Sequence, residues 1–153
     1  MDLLTAREFA IALAHRAGDM LLDILARGLN EDTIRHKLGH FDIVTEADLA
    51  SEKLILAGLG DAYPDIPVLA EESAGGAVPD VEWLWTVDPV DGTTNFSHAL
   101  PIWGVNIALL HNGEPVMGVT HDPTNGHTYW AERGAGAWNR TARGDRRLHV
   151  SGI

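Results

Sequence analysis

Cysteine is absent from this chain, so neither a disulfide nor a thiolate metal site can form. Positive charge is scarce: Lys and Arg number 11 against 22 Asp and Glu, for a net charge of −11. A nucleic-acid backbone is held by arrays of Lys and Arg, so that balance argues against a nucleic-acid partner. It suits a chain that collects divalent cations, although acidity also serves solubility alone. No apolar run approaches the roughly 20 residues needed to span a bilayer. The first residues also lack the basic stretch, apolar core and cleavage site of a secretory signal. The expectation is a soluble cytoplasmic protein without membrane contact. Internal repeats, low-complexity tracts and linkers are missing too. The 153 residues, 45% apolar with five tryptophans, therefore read as a single domain over 1–153.

The N-terminal stretch predicts a long amphipathic helix. Thr5 and Glu8 have capping-box spacing, and Phe9, Leu13, Ala17, Met20, Ile24 and Leu25 fall mostly on one face before Gly28 stops it. Residues 33–38 read as a short strand, and Phe41 to Val44 as a link into a second helix. Thr45 and Asp48 are spaced as an N-cap and a first-turn acid; Ala47, Ala50, Leu54, Ile55 and Leu59 form its apolar stripe, and Tyr63-Pro64 ends it. Pro67 to Ala70 is a brief apolar strand that delivers Glu71 and Glu72. Beyond residue 100, apolar runs at 103–110 and 114–120 flank Asn112-Gly113, a strong hairpin signal, and turns at 122–126 and 134–136 separate further short strands. The fold class is α+β: two helices packed on a mostly antiparallel sheet.

Chemistry concentrates in Trp85-Thr-Val-Asp88-Pro-Val-Asp91-Gly-Thr-Thr-Asn-Phe96. Two carboxylates three residues apart suit a hard cation, which takes oxygen ligands. Pro89 stiffens the turn, and Gly92 lets the backbone approach a ligand. Gly92, Thr93 and Thr94 then offer backbone N–H groups to an anion, above all if a short helix starts there. An ordinary surface turn has the same composition. An EF-hand calcium loop does not fit, because Pro89 holds the second position and Ala99 the twelfth, where a bidentate Glu belongs. Taken alone, Asp48 is an acid that favours a helix dipole, and Glu71-Glu72 is a solvated strand end. The eight histidines form no recognised zinc pattern.

Trp85, Asp88-Pro89, Asp91-Gly92-Thr93 and Asn95-Phe96 together resemble the signature of the inositol monophosphatase family. Asp42-Ile-Val-Thr-Glu-Ala-Asp48 resembles its Asp-x-Val-Thr-x-x-Asp motif, and Ala70-Glu71-Glu72 its Gly-Glu-Glu segment with Ala70 for glycine. The resemblance implies the first half of that family's αβαβα sandwich and hydrolysis of a small phosphorylated metabolite with two or more Mg²⁺ ions. It assigns Glu71, Asp88, Asp91 and the Val90 carbonyl as metal ligands. Thr93 and Asp48, with Glu71, become the groups that activate water, and Gly92, Thr93 and Thr94 the phosphate cradle. Lys37 and Glu72 are placed near the site in support. A homodimer is implied for complete members. The resemblance extends only over the family's N-terminal portion: the Trp-Asp-x-Ala-type motif of the second portion, whose Asp completes the second metal site, does not occur here. A histidinol phosphatase, a fructose-1,6-bisphosphatase or a 3′-nucleotidase would share everything present. A non-catalytic metal- or phosphate-binding module is the reading from another class.

Overall fold

The structure, a computed structural model, describes residues 1–28, 34–36, 43–73 and 78–152, with backbone alone at 34–36 and 43–45. Helix α1 spans Leu3–Arg27 and α2 spans Glu46–Ala62. Strands β1 (Ile34–His36) and β2 (Ile43–Thr45) form an antiparallel pair between them. The segment expected to be a plain link into α2 is thus a strand where it is described. The main sheet runs in chain order through β3 (Val68–Ala70), β4 (Trp83–Asp91), β5 (Gly104–His111), β6 (Glu114–Asp122), β7 (His127–Glu132), β8 (Gly136–Thr141) and β9 (Gly144–Leu148). Only β3–β4 is parallel. The rest is antiparallel: short turns join β5 through β9, and residues 92–103 join β4 to β5. Asn112 and Gly113 both have positive φ, the conformation a tight hairpin between twisted strands requires.

Both long helices cover one face of this sheet. Trp85 and Val87 of β4, Val105, Ile107 and Leu109 of β5, and Met117 and Val119 of β6 share one core with Leu13, Ala17, Leu21, Ile55 and Leu59. The α1 stripe is rotated from the expected one: the sealed positions are Ala6, Ala10, Leu13, Ala14, Ala17 and Leu21, while Met20, Ile24 and Leu25 are only half-buried. Small side chains let the helix backbone sit close to the sheet. The cap differs as well. Asp2 is the N-cap and accepts from the Leu4 N–H, while Thr5 donates its hydroxyl to Asp2. Glu8 cannot close a capping box because Arg140 holds its carboxylate at 2.6 Å, with Arg7 at 3.1 Å.

Under α1 lies a pair of stacked histidines, with the His15 and His121 rings 4.2 Å apart. His121 Nδ1 faces the His127 carbonyl (3.2 Å) and the Thr128 hydroxyl (3.0 Å), and that hydroxyl lies 2.7 Å from His15 Nε2. A carbonyl only accepts, so the His121 proton sits on Nδ1 and Thr128 donates onward to His15. Burial, and then the neighbouring His15, push the His121 imidazole down to about 4. The unfolded chain therefore binds more protons than the folded one between about pH 6.5 and 4, and stability falls as pH drops through that window. We expect a loss on the order of 2 kcal/mol across it, removed in His121→Gln, by urea unfolding at pH 7 and pH 4.5. Gly18 meets the same spot. A Cβ there would stand 2.7 Å from Pro123 Cγ and 2.8 Å from His121 Cδ2, which explains a glycine inside a helix.

Candidate active site

At the end of β4 the ladder with β5 breaks register. Asp88 lies opposite Asn106 and Asp91 opposite Gly104, so Pro89 and Val90 fill a bulge. A bulge re-aims the side chains on either side of it, and proline is tolerated there because no ladder N–H is needed. Gly92 follows at φ +88, where a Cβ would stand 3.0 Å from the Ile102 carbonyl. The position requires glycine on both counts. Helix α3, Thr93–Ser97, starts at once with Gly92 as N-cap, so the short helix anticipated from sequence is present.

Three buried polar residues on one face of α2 hold the loops of this corner together. Asp48, Ser51 and Glu52 are 1%, 0% and 5% exposed. Their spacing of i, i+3 and i+4 places them side by side. Asp48 Oδ1 lies 3.0 Å from Thr93 Oγ1. Ser51 Oγ donates to the Pro89 carbonyl at 3.0 Å, and Glu52 Oε2 accepts from the Glu72 N–H at 2.9 Å. Asp48 therefore does more than favour the helix dipole as a first-turn acid. Ser51→Ala strands the Pro89 carbonyl, with an expected cost of about 1–3 kcal/mol in urea unfolding.

Thr93 is the pivot. Its hydroxyl lies 3.0 Å from Asp48 Oδ1 and also 3.0 Å from the Val90 carbonyl. One proton serves two acceptors, and the oxygen's lone pairs face elsewhere. Asp88 is the group under electrostatic strain. Its carboxyl is pushed up to about 7 by burial first, then by the charges of Glu71 and Asp91 and by a hydrogen bond with Glu71. Asp88 Oδ1 is sealed from solvent and has no hydrogen-bond partner. Two carboxyls that must share a proton, one with an orphaned oxygen, are what a divalent cation relieves, and every donor present is oxygen. The residues fit Mg²⁺ on that ground. Asp91 is exposed, and its Oδ2 accepts from Asn106 Nδ2 at 2.8 Å. Among the described residues no three His, Cys, Asp or Glu side chains converge on one ion position.

Most of the residues singled out from sequence meet at this corner: Asp48, Glu72, Asp88, Val90, Asp91, Gly92, Thr93 and Thr94 are carried by α2, the β3–β4 connection, the β4 bulge and α3. Glu71 is anchored by its N–H to the Val87 carbonyl at 3.0 Å. Thr94 is exposed on α3. Lys37 and Asp42 lie outside the described residues. Ala70 does not have positive φ, so its departure from glycine has no backbone consequence. Sequence reading missed Ser51, Glu52 and Asn106. The first two could have been found as polar residues at helical spacing within an apolar stripe. Asn106 carries no such signal, because its place depends on the bulge.

An αβ layer with a bulged Asp-Pro-x-Asp-Gly-Thr loop against an Asp-bearing helix defines a recognised class of protein. The model of the inositol monophosphatase family matches residues 2–152, and the chain belongs to that family. It is 37% identical over 131 residues to a fructose-1,6-bisphosphatase/inositol-1-monophosphatase of Thermotoga maritima, covering 86% of this chain and 49% of that protein. It is 37% identical over 145 residues to the Nus factor SuhB of Pseudomonas aeruginosa, covering 94% and 51%. The crystal structure of the extragenic suppressor protein suhB from Bartonella henselae superposes with a TM-score of 0.85 at 36% identity, covering 97% of this chain and 55% of that one. The chain spans about half the length of the curated relatives it matches. No helix among the described residues is long and apolar enough to cross a membrane.

Proposed function

We propose that this corner is the metal-holding part of a site that hydrolyses the phosphate monoester of a small polyol. The observation that carries the reading is the Thr93 hydroxyl, 3.0 Å from buried Asp48, in the same loop as the orphaned carboxyl oxygen of Asp88. Glu71, Asp88, Asp91 and the Val90 carbonyl are the groups that would hold Mg²⁺. When bound, the cations lower the pKa of water and neutralise charge on the phosphate and the leaving oxygen.

The chain's own residues do the rest. Thr93 Oγ1 turns its proton toward Asp48, leaving a lone pair to orient an attacking water. As that water's proton passes to Oγ1, the hydroxyl's own proton passes to Asp48. Backbone N–H groups of Gly92 and Thr93, at the opening of α3, bind phosphate oxygens, and exposed Thr94 borders them. Glu52 fixes the 71–72 connection through the Glu72 N–H, so Glu72 supports Glu71 from behind. Inositol 1-phosphate is the substrate we favour, with fructose 1,6-bisphosphate next because the Thermotoga relative carries both names. Phosphate release by the 153-residue chain, with and without Mg²⁺, tests the reading. Release from either ester that stops with EDTA supports it; release that persists unchanged in EDTA contradicts it.

A further inference from the structure

We propose that the cleft between the β6–β7 turn and the β8–β9 hairpin is a second, metal-independent binding site for a phosphate group. The cleft, of about 510 Å³, is bordered by Asn125, His127, Asn139, Thr141, Arg143 and Arg146. The β8–β9 hairpin, which carries both Arg143 and Arg146, lies four strands from β4 in the sheet, and the cleft meets the Asp91–Gly92 pocket only at Asn125.

Charge is the first argument. Acids outnumber bases two to one in this chain, and most described arginines are tied down. Arg7 pairs with Glu8 and Glu132, Arg140 with Glu8 and Asp145, Arg133 with Glu114, and Arg27 with Asp23. Arg147 lies over the Trp138 ring. Arg143 and Arg146 are exposed at the cleft and have no ion pair among the described residues. Two guanidinium groups left unpaired at one concavity of so acidic a protein are suited to an oxyanion, which they bind through several N–H donors.

Hydrogen bonding supplies the second. Asn139 Nδ2 can only donate, and it lies 3.2 Å from His127 Nδ1. The same ring nitrogen lies 3.2 Å from the Tyr129 hydroxyl, so the imidazole is held in place at the edge of the cleft. Asn139, 5% exposed, fixes the His127 ring in the wall of the cleft. The Thr141 hydroxyl, within 3.2 Å of the Arg143 N–H, completes a polar rim.

The test uses amide NMR shifts of the full chain titrated with inorganic phosphate, in EDTA and at constant ionic strength set with sodium chloride. Chelation removes cation-held phosphate at Gly92 and Thr93, so this proposal and the active-site reading fail separately. We expect saturable shifts at Asn125, Gly126, Arg143 and Gly144, with a Kd on the order of 1 mM. In R143Q/R146Q the affinity should fall at least about tenfold. Ala142→Glu, which adds an anion at the turn and leaves both arginines in place, should weaken it as well. A parallel titration with glycerol 2-phosphate distinguishes a free ion from an ester as the occupant: binding tighter than inorganic phosphate assigns the ester, weaker binding the free ion. Shifts that do not saturate, that centre on Gly92 and Thr93, or that persist unchanged in both variants would overturn the site.

Discussion

On the proposed reading, Asp88→Asn loses metal-dependent phosphate release by at least about 10³-fold, since cations held there would lower the barrier by several kcal/mol. The same substitution should stabilise the chain in EDTA. Asp88 has an orphaned, sealed oxygen, and its carboxyl is crowded by Glu71 and Asp91. An amide of the same shape carries no charge and offers Glu71 an N–H. A gain of about 1–2 kcal/mol in urea unfolding at pH 8 is expected. Opposite signs for activity and stability separate a functional carboxylate from a structural one. A variant that is both inactive and less stable would assign Asp88 to the fold instead.

Thr93→Ala leaves cation affinity within about twofold and lowers turnover by roughly 10²–10⁴, the range for one positioned proton-transfer group. Thr93→Ser keeps Oγ1 and its two acceptors and should retain most activity. Asp48 acts through the same hydroxyl, 3.0 Å away. The double variant T93A/D48N should therefore be hardly slower than the worse single one, because groups that act as a unit are not additive. Steady-state kinetics with inositol 1-phosphate check all four proteins. Additive losses would mean that Asp48 serves the helix rather than Thr93.

Much of this corner was legible in the sequence, and the reason is local. The Asp-Pro-Val-Asp-Gly-Thr string marked the corner and the glycine that the backbone needs there. The expected turn at Pro89 is instead a bulge within β4, which runs on to Asp91 because its ladder to β5 resumes at Gly104. Helix periodicity likewise located α1 and α2, and Asn112-Gly113 located its hairpin. Long-range choices were less visible. The rotation of α1 toward its alanines depends on how near the helix approaches the sheet. The cap moved to Asp2 because Glu8 is claimed by Arg140, 132 residues away. β9, an Arg-rich segment without apolar alternation, is held as a strand by its ladder to β8 rather than by propensity. Ser51 and Glu52 stood at helical spacing within the α2 stripe, but which carbonyl and N–H they hold depends on loops distant in sequence.

The most direct measurement is paramagnetic broadening of amide signals by Mn²⁺, which takes the same oxygen donors as Mg²⁺. In the wild-type chain, substoichiometric Mn²⁺ should broaden Glu71, Val90, Asp91 and Gly92 first, and excess Mg²⁺ should restore them; Asp88→Asn should abolish the effect. Broadening that spreads over the acidic surface, or that survives in Asp88→Asn, would contradict a metal site at the β4 bulge.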